Sequence, residues 1–173
     1  MSNIKYAVVT IANCEVSYRE TAFGLLSDFA ADLRETANPE VVRYGYMATG
    51  SDAGALVFTQ LYRELGGFDQ ALSIMATSPS YKSLIDSGKV AIIMRNIIKL
   101  LPIPFDGSHG DAKYMVFTLA AGNPGDRELI CEDMSKVAKV FSDNGAITLR
   151  FGALVTGSNA GNYLLGVTYP SMD

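Results

Sequence analysis

The sequence predicts an α+β protein with two related units, the first of order β-α-β-β-α-β and the second of order β-α-β-β. Three observations lead to this prediction. Two segments of the chain recur in the same order, strand-length apolar stretches alternate with helical stretches, and a proline- and glycine-rich linker lies between the halves. We therefore expect one unit at residues 1–101, a linker at residues 102–111 and a second unit at residues 112–173.

The internal repeat is visible in two pairs of segments. RYGYMATGSDAG at Arg43–Gly54 aligns with RFGALVTGSNAG at Arg150–Gly161, and KYAVVT at Lys5–Thr10 aligns with KYMVFT at Lys113–Thr118. The offsets are 107 residues (150 − 43) and 108 residues (113 − 5), so one insertion between the segments reconciles them. Because both segments recur in the same order, the pattern indicates a repeat rather than chance.

The first unit begins with a strand at residues 5–12, which are rich in valine, tyrosine and threonine. SYRE at Ser17–Glu20 has the form of a capping box and predicts the start of a helix, which Asn38-Pro39 ends. Strands at about residues 40–48 and 55–63 then form a hairpin through a Thr-Gly-Ser-Asp-Ala-Gly turn.

The rest of the first unit supplies the closing elements. Apolar residues from Phe68 to Met75 recur at helical spacing, and Ser78-Pro79 is typical of the start of a further short helix that ends at Gly88. A final strand covers about residues 89–98.

The second unit repeats this order up to its hairpin. A strand at residues 113–120 precedes a helix that Asn123-Pro124 begins and Asn144-Gly145 ends, and hairpin strands follow at about residues 146–155 and 162–169. No closing helix and strand follow, so we expect the first strand of this unit to lack a neighbour at one edge. Open edges are hazards, and we expect a second copy or a partner chain to cover this one.

Composition limits the classes of function. The chain of 173 residues has a net charge of −4, which argues against binding to nucleic acid or to an anionic membrane. The start of the chain resembles no signal peptide, and the most apolar stretch, Val90–Leu101, is interrupted by charge and too short to span a bilayer. Two isolated cysteines, Cys14 and Cys131, fit a reducing compartment, so we expect a cytoplasmic protein.

The order of elements, with the Ser-Pro-x-Tyr-Lys start of the third helix, resembles the dimeric α/β-barrel superfamily of ferredoxin-like proteins. The resemblance implies that two antiparallel sheets pack together as an α/β barrel around a cavity, and that the protein forms homo-oligomers, dimers or larger. That superfamily includes small monooxygenases, haem-degrading enzymes and stress-responsive proteins. The haem-degrading branch relies on a tryptophan and a histidine, whereas this chain has no tryptophan and one histidine, in the linker. We therefore expect no cofactor.

Alternation along the strands suggests which residues face such a cavity. If Ala7, Val9 and Ile11 face the helices, each half offers the cavity a tyrosine, a threonine and an arginine. These candidate ligand-binding residues are Tyr6, Thr10 and Arg43 in the first half and Tyr114, Thr118 and Arg150 in the second. Arginines can hold a carboxylate or enolate oxygen, and phenols can donate protons. Alternatively, the arginines form salt bridges and the tyrosines are packing residues.

Other motifs favour structural interpretations. The glycine-rich hairpin loops match no phosphate-binding spacing and are best interpreted as turns. His109 lies in a Gly-Ser-His-Gly linker, where a solvated side chain is expected, and Asp106 and Asp111 beside it are too few to predict a metal site.

The sequence identifies no catalytic residue and leaves several functions open. One is a small-molecule-binding protein that takes an acidic or aromatic ligand between its two sheets. A second is a cofactor-independent monooxygenase or isomerase, and a third is a non-catalytic oligomerising structural or stress protein.

Overall fold

The computed structural model describes residues 4–105, 107 and 111–171. These form two compact units, one reaching Ile97 and the other beginning at Ile98. The linker residues Asp106, Ser108 and His109 lie outside the described residues, so the predictions made for them are not addressed by the structure.

The first unit has the ferredoxin-like order of elements predicted from the sequence. Its elements are β1 (Tyr6–Cys14), α1 (Arg19–Thr36), β2 (Val41–Tyr46), β3 (Leu56–Tyr62), α2 (Gly66–Thr77), α3 (Pro79–Asp86) and β4 (Val90–Leu101). The strand order is β2-β3-β1-β4, and β3 runs antiparallel to both β1 and β2. The predicted α+β fold class is confirmed.

The second unit repeats the strand-helix-strand-strand part of that order. Its elements are β5 (Tyr114–Ala120), α4 (Arg127–Asp143), β6 (Thr148–Leu154) and β7 (Tyr163–Tyr169), joined by the last residues of β4, Ile98–Leu101. The strand order is β4-β6-β7-β5, with β7 antiparallel to β5 and β6 and β6 antiparallel to β4. No strand among the described residues pairs with the outer edge of β5, as expected from the sequence.

The helix starts differ from the predicted caps. A turn of 3₁₀ helix, Val16–Tyr18, precedes α1, and the capping residue of α1 is Tyr18, with no side-chain hydrogen bond, so the predicted capping box does not form. A matching 3₁₀ turn, Pro124–Asp126, precedes α4, and Asn123 at its start makes no side-chain capping bond either. Because the chain enters both helices through a 3₁₀ turn, the predicted starts lie too early.

The third helix begins as predicted. The Ser78 hydroxyl accepts a hydrogen bond from the amide of Tyr81 at 3.3 Å, and Pro79 fills the first helical turn. The same hydroxyl donates to the Asp32 carboxylate at 2.7 Å, which ties the start of α3 to α1.

Both glycine-rich loops are hairpin turns, as predicted. Gly54 and Gly161 have φ of +89° and +92°, a conformation that disfavours side chains, and their amides donate to Met47 and Leu154, respectively. These bonds close the two hairpins in the same way.

Burial differs between the two units. In the first, α1, α2 and α3 cover one face of the sheet, and Phe29, Leu33 and Ala71 are fully buried in a large cluster. In the second, α4 is the one helix longer than a 3₁₀ turn among the described residues, and two small buried clusters lie around Phe151 and Val167.

Candidate functional site

The face of β1 that packs against the helices is opposite to the one predicted. Val8 and Ala12 belong to the buried cluster under α1, so Tyr6 and Thr10, which alternate with Val9, also lie on the helix side. The predicted assignment was wrong because Ala7 to Ala12 are all buried. With both faces apolar, alternation cannot distinguish them.

The second unit shows the same inversion. Tyr114 pairs with Tyr169 and Thr118 pairs with Leu165, and both β7 residues pack against the clusters under α4. Tyr114 and Thr118 therefore lie on the helix side of β5, where both are largely exposed. The equivalent strands of the two units thus present equivalent faces.

Arg43 and Arg150 lie on the face away from the helices, as predicted. Arg43 is in register with Thr59, which pairs with Val9, and Arg150 is in register with Gly166, which pairs with Phe117. The structure therefore separates each arginine from the tyrosine and threonine predicted to join it. The ligand-binding role of these six residues stays a prediction.

Arg43 has an unusual environment. Its side chain is half-buried, and burial lowers its pKa. Within the part of the chain that the structure describes, no hydrogen bond or ion pair involves this guanidinium, so the salt bridge considered as an alternative has no counterpart there.

A cavity on the other face, between the sheet and the helices of the first unit, brings polar side chains together. The cavity has a volume of about 30 Å³ and is partly open to solvent. Most of its lining is apolar and comes from the helices α1, α2 and α3 and from the strands β1, β3 and β4. The polar lining residues are Thr10, Gln60, Tyr81 and Arg95.

Arg95 connects two of these residues. Its Nε donates to the Thr10 hydroxyl at 3.1 Å, and its Nη2 donates to the Tyr81 hydroxyl at 3.1 Å. A hydroxyl that accepts from a guanidinium keeps its own proton available for donation. The group therefore presents hydrogen-bond donors at the cavity wall.

Gln60 adds a further donor. Its side chain is fully buried, and its Oε1 accepts a hydrogen bond from the Tyr62 hydroxyl. Burial raises the pKa of Tyr62, so that hydroxyl remains protonated and donates. No described residue accepts a hydrogen bond from Gln60 Nε2. A buried amide without an acceptor costs free energy, which an acceptor entering the cavity would recover.

The position of Tyr81 is set by its surroundings. The Ser78 cap fixes the first turn of α3, and the Tyr81 ring lies 4.8 Å from that of Phe29 on α1. This packing holds the Tyr81 hydroxyl over β1 and β4, where Arg95 reaches it.

Sequence reasoning missed Gln60, Tyr81 and Arg95. Two signals were present: Arg95 interrupts the most apolar stretch of the chain, and Gln60 is an amide in a mostly apolar strand. Charged and amide side chains in such positions need partners, so they mark candidate sites. Their convergence with Thr10 required the tertiary structure.

A second, more open depression of about 360 Å³ lies where β1 ends, beside the first hairpin loop. Arg19 and Lys89 line it together with Glu15, whose carboxylate is 4.0 Å from Lys89 Nζ. Its mixed charge and open shape favour no particular ligand.

The described residues contain no group of three or more histidine, cysteine or acidic side chains placed to hold a metal ion. Among their helices, none combines the length and the hydropathy needed to cross a membrane.

The chain is similar to a known protein family in sequence and to solved structures in fold. A family model described as a domain of unknown function (DUF6854) matches residues 4–100 and 112–173. No curated protein sequence matches the chain.

Solved structures match over nearly the whole chain at low identity. A candidate monooxygenase from Fusobacterium nucleatum has a TM-score of 0.68 at 15% identity, covering 100% of this chain and 79% of the other. A candidate monooxygenase from Lactobacillus acidophilus has a TM-score of 0.65 at 13% identity, covering 97% and 77%. Chlorite dismutase from Candidatus Nitrospira defluvii has a TM-score of 0.63 at 11% identity, covering 99% and 78%. Identities this low show a shared fold and carry no activity over.

Proposed function

We propose that this chain, which belongs to the DUF6854 family, binds a small molecule with an anionic or strongly accepting oxygen on an apolar body. The ligand would lie in the cavity between the sheet and the helices of the first unit. The observation that carries this proposal is the set of donors at the cavity wall, with the fully buried Gln60 amide among them.

The donor set favours an acceptor ligand. Tyr81 and Thr10 each accept from Arg95, so their hydroxyl protons are available to a ligand, and Gln60 Nε2 offers two more. No carboxylate lines the cavity to compete for these donors. Hydrogen bonds to an ionised acceptor are about twice as strong as neutral ones, so a carboxylate, phenolate or enolate is favoured.

The size of the cavity limits how the ligand enters. A water molecule needs roughly 10–15 Å³ of cavity volume, so a cavity of about 30 Å³ fits a small polar group such as a carboxylate. The apolar body of the ligand would lie outside this volume, at the mouth of the cavity beside Ile85 and Ile92. A small aromatic or branched aliphatic acid has this shape.

Calorimetric titration with benzoate, against benzylamine as a cation of similar size, tests the proposal. We expect benzoate to bind and benzylamine not to bind. Tyr81→Phe retains the ring packing but loses the hydroxyl, and Gln60→Met loses the amide; each should weaken benzoate binding by roughly tenfold. Arg63→Met, an exposed residue paired with Glu40, is the matched control and should bind normally.

Two further variants, Arg43→Met and Arg150→Met, distinguish this cavity from the face predicted by sequence. Arg43→Met removes the half-buried guanidinium on the opposite side of the sheet. If Arg43→Met or Arg150→Met abolishes binding while Tyr81→Phe and Gln60→Met leave it intact, the ligand lies on the helix-free face and the cavity proposal is wrong.

A second candidate function is a cofactor-independent oxygenase. The same donors would stabilise the enolate or phenolate form of a bound ligand, and that electron-rich form is the one that can give electrons to dioxygen. Oxygen uptake measured with phenols that bind in the titration tests this idea. Uptake that Tyr81→Phe does not slow would exclude a role of this cavity in such a reaction.

A further inference from the structure

The second unit exposes apolar positions that are covered in the first. Val116 on β5 is 44% exposed, whereas its counterpart Val8 on β1 is fully buried. Val137 on α4 is 40% exposed, whereas its counterpart Phe29 on α1 is fully buried. The shared order of elements makes these positions equivalent, so the difference lies in what covers them.

In the first unit, α3 and β4 provide the cover. The Tyr81 ring lies against Phe29, and Ser78 donates to Asp32, the counterpart of Val140. In the second unit, the described residues place no helix or strand there, and Val140 is 59% exposed. The outer edge of β5 and the adjacent side of α4 therefore form one apolar surface, which we call the β5–α4 surface: Tyr114, Val116, Val137 and Val140.

The edge of β5 lacks the features that keep free edges from pairing. Natural proteins protect such edges with charges, prolines, bulges or short strands. β5 has seven residues, Tyr-Met-Val-Phe-Thr-Leu-Ala, with no charge and no proline. By contrast β2, the end strand of the first unit, is shorter and carries Arg43.

We propose that the β5–α4 surface binds a second copy of this chain, with the two β5 strands antiparallel about a two-fold axis. Pairing centred on Phe117 sets Tyr114 opposite Ala120, Met115 opposite Leu119 and Val116 opposite Thr118. No like charges meet in this register, and the pairs are apolar or uncharged.

The same register also aligns the helices. Residues that face each other in this register are both even-numbered or both odd-numbered, so their side chains lie on the same side of the sheet. The helix side of one β5 therefore continues into the helix side of the other. Each α4 then lies on the same face of the extended sheet, with Val137 and Val140 toward the junction. The charges beside these valines are neutralised locally, since Lys136 pairs with Asp133 and Lys139 pairs with Asp143 at 2.9 and 2.8 Å. These four side chains carry no net charge, so a second copy meets no net charge beside the two valines.

Analytical ultracentrifugation of the full chain over a range of concentrations tests this proposal. We expect a monomer–dimer equilibrium. Val116→Lys and Val140→Lys should each raise the dissociation constant by roughly tenfold or more, because an unpaired ammonium would be buried. Val16→Lys, at a valine that is 74% exposed in the first unit, is the matched control and should leave the equilibrium unchanged.

The outcomes are distinct. A folded wild-type chain that stays monomeric at every concentration overturns the proposal, as does a dimer that both lysine variants leave intact. If Val116→Lys does not fold, as judged by circular dichroism, Val140→Lys on the helix surface still decides the question. A monomer that binds a strand from another protein at this edge would show a different occupant and would also contradict the proposal.

Discussion

Helices α1 and α4 occupy equivalent places in their two units, yet their surroundings differ. Along α1, Phe29 is enclosed by α3 and the sheet, whereas Val137 at the same place in α4 is partly exposed. Ala30 and its counterpart Ala138 are buried in both helices, because they face the sheet directly. The comparison shows that the strand–helix pattern fixes the sheet-facing residues, while the closing elements α2, α3 and β4 determine the burial of the flank.

The largest difference in stability between equivalent substitutions is expected at that flank. Phe29→Ala should lower the free energy of unfolding by about 3–5 kcal/mol, since it leaves a cavity under α3. Val137→Ala should lower it by about 0.5 kcal/mol or less when the chain is dilute, because the side chain is partly exposed. Urea unfolding followed by circular dichroism measures both. Equal losses in the two variants would show that the flanks are equally covered.

The next largest effect on stability is expected for a buried polar pair in the first unit, Gln60 and Tyr62. Gln60→Met leaves the buried Tyr62 hydroxyl without its acceptor and should lower the free energy of unfolding by about 1–3 kcal/mol. Adding Tyr62→Phe removes the orphaned hydroxyl, so the double variant should be no less stable than Gln60→Met alone. A double variant that loses the sum of both single effects would contradict this pairing.

A smaller difference between the units is expected in the free energy of unfolding that helix capping contributes. Ser78 caps α3 and also bonds to Asp32, so Ser78→Ala should cost about 1–2 kcal/mol. Asn123 makes no capping bond, and Asn123→Ala should change the free energy of unfolding by about 0.5 kcal/mol or less. Thermal unfolding of the two variants side by side measures the difference, and a larger loss for Asn123→Ala would reverse the expected order.

The smallest effect is expected for the loss of stability at alkaline pH, and it should be the same in both units. A hydrogen bond to Glu64 raises the pKa of Lys5, and one to Asp133 raises that of Lys136. Each lysine has a higher pKa in the folded protein than in the unfolded chain, where it is 10.5. Each pair therefore stabilises the fold fully below pH 10.5, and this stabilisation is lost as the pH rises through the folded pKa. Both lysines are exposed, so Lys5→Met and Lys136→Met should flatten the alkaline loss of stability only slightly. Urea midpoints between about pH 9 and about pH 11.5 measure this, and a steep dependence on either lysine would contradict it.

Most of the fold could be predicted from the sequence, because local patterns specify it. Strand alternation, the Ser78-Pro79 cap and the paired glycine loops each gave elements whose bounds agree with the structure to within a few residues. The face of β1 could not be predicted, since all its central residues are buried and alternation carries no signal there. The predicted helix starts were early because a 3₁₀ turn precedes each of α1 and α4. Such a turn depends on the position and direction in which the chain leaves the preceding strand.

The candidate site was less predictable than the fold. Thr10 was identified, but its partner Arg95 and the Tyr81 that Arg95 also contacts are 85 and 71 positions away in sequence. They lie on a strand and a helix that only tertiary packing brings over β1. Gln60 gave no spacing signal, because its importance lies in being buried with one half of its amide unsatisfied.

Hydrogen–deuterium exchange along β1 and β5 tests the difference between the two units most directly. Because β1 is flanked by β3 and β4, its amides should exchange slowly at every protein concentration. The outward amides of β5 should exchange quickly in dilute solution and slow down as the concentration rises and copies pair. Slow exchange of β5 at all concentrations would mean that its edge is already covered within the chain, and fast exchange at all of them would mean that no second copy covers it.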